Sequence, residues 1–389
     1  MVVRHAQVFR DKQGINLLTG HCVEKVNADQ QTVAGSTADG KDFEFPYDRL
    51  LIATGSSAIR PDIPGVDLPG VFVLKDLDDG RKIKSFLKNN KVKKAIIIGM
   101  GYVALEMCES LVNLDIAVDM VKPNPVFMPW LEPSMAAVVK DGLESKGVGV
   151  YAGHVVDRIQ TSSAGMQVVG PDLNLAGDMV LVGVGVKPNS RVAGSAGLGL
   201  SIAKSIAVDR SLKTSAKNIY AAGDCADAFH VVTDAKTWIP LALLANRAGW
   251  AAADNVIGQN ATIEGVAGTA VFRVFDYEVA RTGLNLKQAR EAGFEPVENM
   301  IQSSSRAHSY ASGHPIWVNM IGDKKSGRLL GVQMVGTEGV AHRINAPAVA
   351  LHNRMTVAQY SQTDLAYAPP FGPTWDPTLT AANQLLKKL

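Results

Sequence analysis

The chain has 389 residues, which at roughly 150 residues per domain predicts two or three domains with substantial cores and excludes a collagenous or disordered chain. Lys and Arg number 39 against 37 Asp and Glu, a net charge of +2, so no global field marks a nucleic-acid binder and any charged ligand must be held locally. Hydrophobic residues make up 47%, yet no stretch approaches the roughly 18 uninterrupted apolar residues of a membrane helix, and no membrane partner is expected. The opening stretch to Lys12 lacks the apolar segment of a secretory leader, so the expected location is cytoplasmic. Three cysteines, Cys22, Cys108 and Cys225, are an odd number without a CxxC pair and support neither a disulfide framework nor a zinc site.

In chain order, short apolar runs separated by glycines alternate with amphipathic stretches, the pattern of an α/β protein. Strands are predicted at Ile15–Thr19, His21–Val26 and Tyr47–Ala53, the last ending in Thr54-Gly55. The breakers Pro61, Pro64, Gly65, Pro69 and Gly70 place a domain boundary near residue 70. A strand at Ala95–Ile98, a glycine turn, a helix over Leu105–Val112 and a strand at Ile116–Val121 then form one βαβ unit. Further on come a helix over Pro133–Lys146, strands near Val148–Tyr151, Gln167–Val169 and Met179–Val184, and a helix over Leu241–Val256. Beyond 263, Ile316–Ile321 and Leu329–Val335 read as a hairpin joined by Gly322–Gly327, followed by helices at Ala341–His352 and Pro377–Lys387.

Gly99-x-Gly101-x-x-Ala104 directly follows an apolar strand and opens a helix, the setting in which this spacing binds a dinucleotide. Gly99 permits the tight turn, Gly101 lets the backbone approach a pyrophosphate, and Ala104 allows close helix–strand packing. The alternative is a ligand-free glycine turn. At the end of the second strand, where a carboxylate would accept the ribose hydroxyls of NAD, stands Lys122, which suits a 2′-phosphate or simply faces solvent. Leu50–Gly55 and Asn218–Asp224 are apolar strands finishing in small residues, with a carboxylate after the second that can accept hydrogen bonds from polyol hydroxyls.

The order of these segments resembles the flavoproteins in which an NAD(P) domain is inserted into a FAD domain. More closely, Tyr47–Ser56, Ile63–Phe72, Gly99–Glu106, Val184–Asn189, Ile219–Asp224 and Leu365–Phe371 resemble the pyridine nucleotide-disulfide oxidoreductase family, in its branch of coenzyme A-disulfide reductases, NADH oxidases and NADH peroxidases. The resemblance implies two Rossmann-like domains, FAD-binding (1–70 and 199–262) and NAD(P)-binding (71–198), and a C-terminal α+β dimerisation domain (263–389). It implies FAD near Thr54, Gly55, Gly223 and Asp224, and NAD(P)H on Gly99, Gly101 and Ala104, with Gly185 added to the cofactor set. By the same analogy Tyr102 shields flavin and nicotinamide, Glu106 faces the flavin edge, and Tyr310 and Tyr367 reach toward the redox site of the other subunit of a homodimer. The implied reaction passes hydride from NAD(P)H through FAD to a disulfide, persulfide or polysulfide, or alternatively to oxygen or peroxide.

The sequence also departs from the family pattern. No two glycines stand at G-x-G spacing before Gly70, and the segment carrying the first glycine turn and redox cysteine is not found, which implies a truncated chain, a lost or replaced subdomain, or a non-catalytic nucleotide-binding fragment. Cys22, Cys108 and Cys225 read as small buried hydrophobes rather than replacements for that thiol. Lys88–Lys94 reads as a solvated helix terminus, His308 and His314 lack a ligand cluster, and Trp317 and Trp375 read as core or interface aromatics.

Overall fold

A computed structural model describes residues 5–163 and 165–389, so the first four residues of the opening segment lie outside it. The chain divides into two compact units: one comprises residues up to Ser56 with Pro188–Ala228 and Lys236–Glu264, the other Ser57–Lys187, Phe229–Ala235 and Gly265–Leu389.

In the first unit, His21–Asn27, Thr32–Thr37 and Asp42–Pro46 form an antiparallel sheet in sequential order. Gly35 is required there, because a Cβ would lie 1.9 Å from the Cys22 carbonyl oxygen. Leu50–Ile52 pairs in parallel with Ile219–Ala221, Leu50 opposite Ile219 and Ile52 opposite Ala221. The helix Ala242–Val256 turns Ala248, Ala251 and Ala252 inward toward a core shared with Ile52, Ile206, Ile219 and Cys225. Small side chains allow that close approach. The Arg49 guanidinium donates to the carbonyls of Asn255 (3.1 Å) and Val256 at the end of this helix, where a cation satisfies orphaned acceptors and the dipole.

In the second unit a five-stranded parallel sheet has the order Val71–Val73, Met179–Val182, Lys94–Ile98, Ala117–Lys122, Gly149–Ala152. Ala95 to Ile98 are buried on both faces, as a continuous apolar run in a covered parallel sheet must be. The helix Tyr102–Val112 contributes Ala104, Leu105, Cys108 and Leu111 at helical spacing, each large side chain removing about 2 kcal/mol worth of apolar surface from water. The helix Pro133–Ser145 starts at Pro133 because proline suits the first helical position, with Glu132 accepting from the N–H groups of Ser134 and Met135. A second five-stranded sheet is antiparallel, in the order Ala270–Val274, Tyr277–Gly283, Leu329–Gly336, Pro315–Asp323, Pro296–Ser304. The expected hairpin is its centre, Leu329–Gly336 being buried throughout.

Two strand expectations fail. Ile15–Thr19 is not a strand: the preceding residues form the helix Ala6–Gln13, closed by Gly14 at φ +65°, and Ile15 and Leu18 stay exposed. An apolar alternation without a neighbouring edge to pair with has nothing to fix it as a strand. The expected strand Tyr47–Ala53 contracts to Leu50–Ile52: the chain bends at Asp48 and Arg49 before it, and Gly55 at φ +68° turns the chain after it.

His230, 7% exposed, accepts the Val232 N–H on Nδ1 at 3.2 Å, and burial, reinforced by Arg281 and His352, pushes its imidazolium down to about 4 from 6.5. The folded protein therefore binds this proton more weakly than the unfolded chain, so the stabilisation is complete above pH 6.5 and is lost as pH falls toward about 4. The loss is about 3 kcal/mol, and His230→Asn should flatten the pH dependence of urea unfolding across that window. An unchanged pH profile would contradict it.

Candidate functional site

The glycine turn of the second unit assigns a separate physical task to each small residue. Gly99 sits at φ +116°, and a Cβ there would lie 2.2 Å from the Gly183 carbonyl oxygen, so this position is fixed by backbone conformation and packing. Gly101 differs. Its φ of −85° and ψ of −179° suit any residue, and among the described residues nothing lies within 4 Å of a Cβ built on it. Neither backbone conformation nor packing calls for glycine here, and the space in front of it is open. Ala104 is fully buried, and a Cβ on Gly183 would stand 3.1 Å from the Ala104 Cβ, which records how closely helix and sheet ends meet. Among the described residues no side chain caps this helix, so its first N–H groups are free to receive an anion.

Lys122 is the last residue of the second strand; its ammonium donates to the Val126 carbonyl at 2.9 Å, and burial lowers its pKa. Asp119 lies within the strand, buried, with the Lys94 ammonium 2.7 Å away, and so is committed to an ion pair of its own sheet. Tyr102 opens the helix; its ring stacks on Phe272 at 4.9 Å and meets Trp130 edge-on at 5.8 Å. Burial raises the Tyr102 phenol while Arg281 pulls it the other way. Glu106, one turn on, is exposed at the surface, and desolvation of its carboxyl group with Glu109 nearby raises its pKa. Gly185, at φ +114°, accepts the Ile59 N–H on its carbonyl at 2.9 Å.

In the first unit the two predicted strand ends are neighbours although about 170 positions apart in sequence. The Ala222 N–H donates to the Ile52 carbonyl at 3.1 Å, and the Ser56 hydroxyl donates to Asp224 Oδ2 at 2.8 Å. Ile52 and Ala221 are buried, whereas Thr54, Gly55, Gly223 and Asp224 emerge into partial or full exposure, forming an accessible shelf at the strand ends. Gly55 and Gly223 take φ +68° and +83°, a left-handed region that favours glycine. Two residues that were not named as site candidates, Asn189 and Trp238, complete the shelf. Asn189 donates to the Thr54 carbonyl at 2.9 Å while the Thr54 hydroxyl donates to the Asn189 carbonyl at 2.5 Å, and the Trp238 indole donates to the Asp224 carbonyl at 2.8 Å. A carboxylate beside a hydroxyl on an open, glycine-edged shelf fits the polyol and ring portion of FAD, as the Gly99–Ala104 turn fits the pyrophosphate of NAD(P)H.

The cysteines take no visible part in a redox site. Cys225 is fully buried, its thiol donating to the carbonyls of Ala222 (3.3 Å) and Ile52 (3.5 Å). Burial, with Glu109 adding to it, pushes the Cys108 thiol up to about 12, which keeps it protonated and inert. Cys22 is exposed, so the expectation that it is a buried hydrophobe is not met.

Tyr310 and Tyr367 are exposed, on adjacent loops of the second unit joined by the Ala307 N–H to the Pro369 carbonyl at 3.1 Å. The Arg306 guanidinium lies 5.9 Å from the Tyr310 ring centre and forks onto Glu338 at 2.9 and 2.7 Å.

An uncapped helix behind a glycine turn in one unit and a glycine-edged carboxylate shelf in the other are the kind of places that receive nucleotides. The profile described as pyridine nucleotide-disulphide oxidoreductase matches residues 2–249, and that of the same family's dimerisation domain matches residues 269–377. The chain belongs to the pyridine nucleotide-disulphide oxidoreductase family, whose members are FAD-dependent NAD(P)H oxidoreductases. It is 32% identical to a CoA-dependent NAD(P)H sulfur oxidoreductase of Pyrococcus furiosus, the match covering 97% of this chain and 85% of that protein. An NADH oxidase of Methanocaldococcus jannaschii is also 32% identical, over 100% of this chain and 87% of its relative. The solved structure of an NAD-dependent persulfide reductase from A. fulgidus superposes with a TM-score of 0.95 at 35% identity, over 99% of this chain and 72% of that one.

Proposed function

We propose that this chain is a coenzyme A-disulfide reductase-like enzyme that transfers reducing equivalents from NAD(P)H through FAD to a small disulfide, persulfide or polysulfide. The chemistry that bound FAD would supply is two-electron transfer between the nicotinamide and the sulfur acceptor. The residues of this chain bind and orient. Gly99, Gly101 and Ala104 receive the NAD(P)H pyrophosphate on the helix N-terminus, and Lys122 stands where a 2′-phosphate would be neutralised, favouring NADPH. Thr54, Gly55, Gly223 and Asp224, held by Ser56, Asn189 and Trp238, carry the flavin, and Gly185 and Tyr102 complete the nucleotide contacts. Glu106, its carboxyl pKa raised, supplies a proton-holding group at the flavin edge. The acceptor meets Tyr310 and Tyr367 from the partner subunit of a homodimer formed through residues 263–389.

The observation that carries this reading is Gly101, a glycine that neither backbone nor packing requires, at the mouth of an uncapped helix. Among the described residues no helix is long and apolar enough to cross a membrane, and the proposed location is cytoplasmic. The test is anaerobic addition of NADPH or NADH to the purified protein carrying FAD. Visible flavin absorbance should bleach, faster with NADPH, and return on adding coenzyme A disulfide. Failure to bleach with either nucleotide would overturn the reading, and reoxidation by oxygen but not by the disulfide would favour the oxidase alternative.

A further inference from the structure

Arg343 takes no part in either nucleotide site, yet it is the most heavily committed cation of the C-terminal region. It ends the short helix Val340–Arg343. Its Nε donates to Asp376 Oδ2 at 2.8 Å, Nη1 to the Gly339 carbonyl at 3.1 Å, and Nη2 to two carbonyls, Ser305 at 3.0 Å and Phe371 at 2.6 Å. Those last two carbonyls belong to the two segments that bear Tyr310 and Tyr367. The ion pair is largely sealed, with side-chain exposures of 11% for Arg343 and 16% for Asp376. Glycines make room for the fork: a Cβ at Gly339, φ +78°, would lie 2.1 Å from Nη1, and one at Gly372 would lie 3.1 Å from Nη2.

Each end of this bridge is anchored. Asp376 caps the helix Pro377–Leu385, accepting from the Thr378 N–H at 2.8 Å and hydroxyl at 2.7 Å. The Tyr310 loop is closed at its neck, where the Ser305 N–H donates to the His314 carbonyl at 2.8 Å and the His314 N–H to the Ser305 hydroxyl oxygen at 2.9 Å. Arg306 on Glu338 fixes the same loop from its other side. The planar guanidinium, with five donors in a fixed fork, serves three carbonyls and a carboxylate at once; the three donors of an ammonium, all on one nitrogen, are too few for four acceptors.

We propose that Arg343 is a positioning residue that couples the Tyr310 and Tyr367 segments into one rigid acceptor-facing surface. The inference rests on the reading that those tyrosines meet the acceptor. Amide hydrogen exchange on Arg343→Lys reports the coupling directly, without turnover, and the same variant carrying FAD is assayed with coenzyme A disulfide beside Tyr310→Phe and Tyr367→Phe. Exchange should accelerate together in residues 305–314 and 367–372, and the KM for coenzyme A disulfide should rise about tenfold while flavin reduction by NADPH is unchanged. Unchanged exchange in either segment would overturn the coupling. Accelerated exchange with an unchanged KM, when Tyr310→Phe raises it, would overturn the positioning role. If neither tyrosine variant alters the KM, the acceptor reading itself fails, and exchange still decides whether Arg343 joins the segments.

Discussion

Gly101→Val should weaken NADPH binding about a hundredfold, close to 3 kcal/mol, while leaving the melting temperature of the ligand-free protein unchanged. The separation follows from two neighbouring glycines with different reasons to exist. At Gly99 a side chain would meet φ +116° and a backbone oxygen 2.2 Å from its Cβ, so Gly99→Val should damage the fold itself. At Gly101 the backbone lies in the extended region and a Cβ meets no described atom within 4 Å, so the isopropyl group folds into open space. That space lies in front of the first N–H groups of the helix Tyr102–Val112, where a pyrophosphate would approach. Isothermal titration with NADPH and a thermal melt on the same preparation check both halves. Retained affinity in Gly101→Val would remove the nucleotide from this turn, and a large fall in melting temperature would show that the fold needed the glycine after all.

What could be read from the sequence was local. Gly99-x-Gly101-x-x-Ala104 declares itself because strand, turn and helix follow one another within a dozen residues, and the ends at Gly55 and Asp224 stand out because each closes an apolar run. The partners of those ends were invisible: Ser56 meets Asp224 across 168 positions, and Thr54 meets Asn189 across 135. Such hydrogen bonds depend on which strands become neighbours, and no periodicity encodes that. Leu173–Gly177 escaped notice although its burial alternates strictly, since one Leu-x-Leu pair ending in glycine is too short a pattern to weigh. The helix Ala6–Gln13 buries no side chain, so it has no apolar stripe to find. Arg343 was equally silent, because its partners are three carbonyls and a carboxylate, most of them distant in sequence.

Asp227→Ala should destabilise the protein by about 3 kcal/mol and, with that loss, weaken retention of FAD. The Asp227 side chain is fully buried, and its Oδ1 accepts from the Val208 N–H at 3.0 Å and the Lys236 ammonium at 2.9 Å. The ammonium also reaches the Val208 carbonyl, so one ion pair ties the stretch after Asp224 to a neighbouring backbone segment. Removing the carboxylate leaves a buried N–H without its acceptor and withdraws a negative charge from beside a 30% exposed ammonium, the arrangement in which breaking a pair costs more than the pair contributes. Asp227→Asn keeps an acceptor for the N–H and should lose about half as much. Lys236→Met combined with Asp227→Leu removes both charges together and should fall short of the summed single losses by more than about 1 kcal/mol. Because Asp224 lies three residues upstream on the same anchored stretch, its carboxylate should drift from Ser56 and the flavin site should loosen in parallel with stability. Urea unfolding and flavin release on dilution measure the two effects; an Asp227→Ala protein within about 0.5 kcal/mol of the parent would show that the pair contributes nothing there.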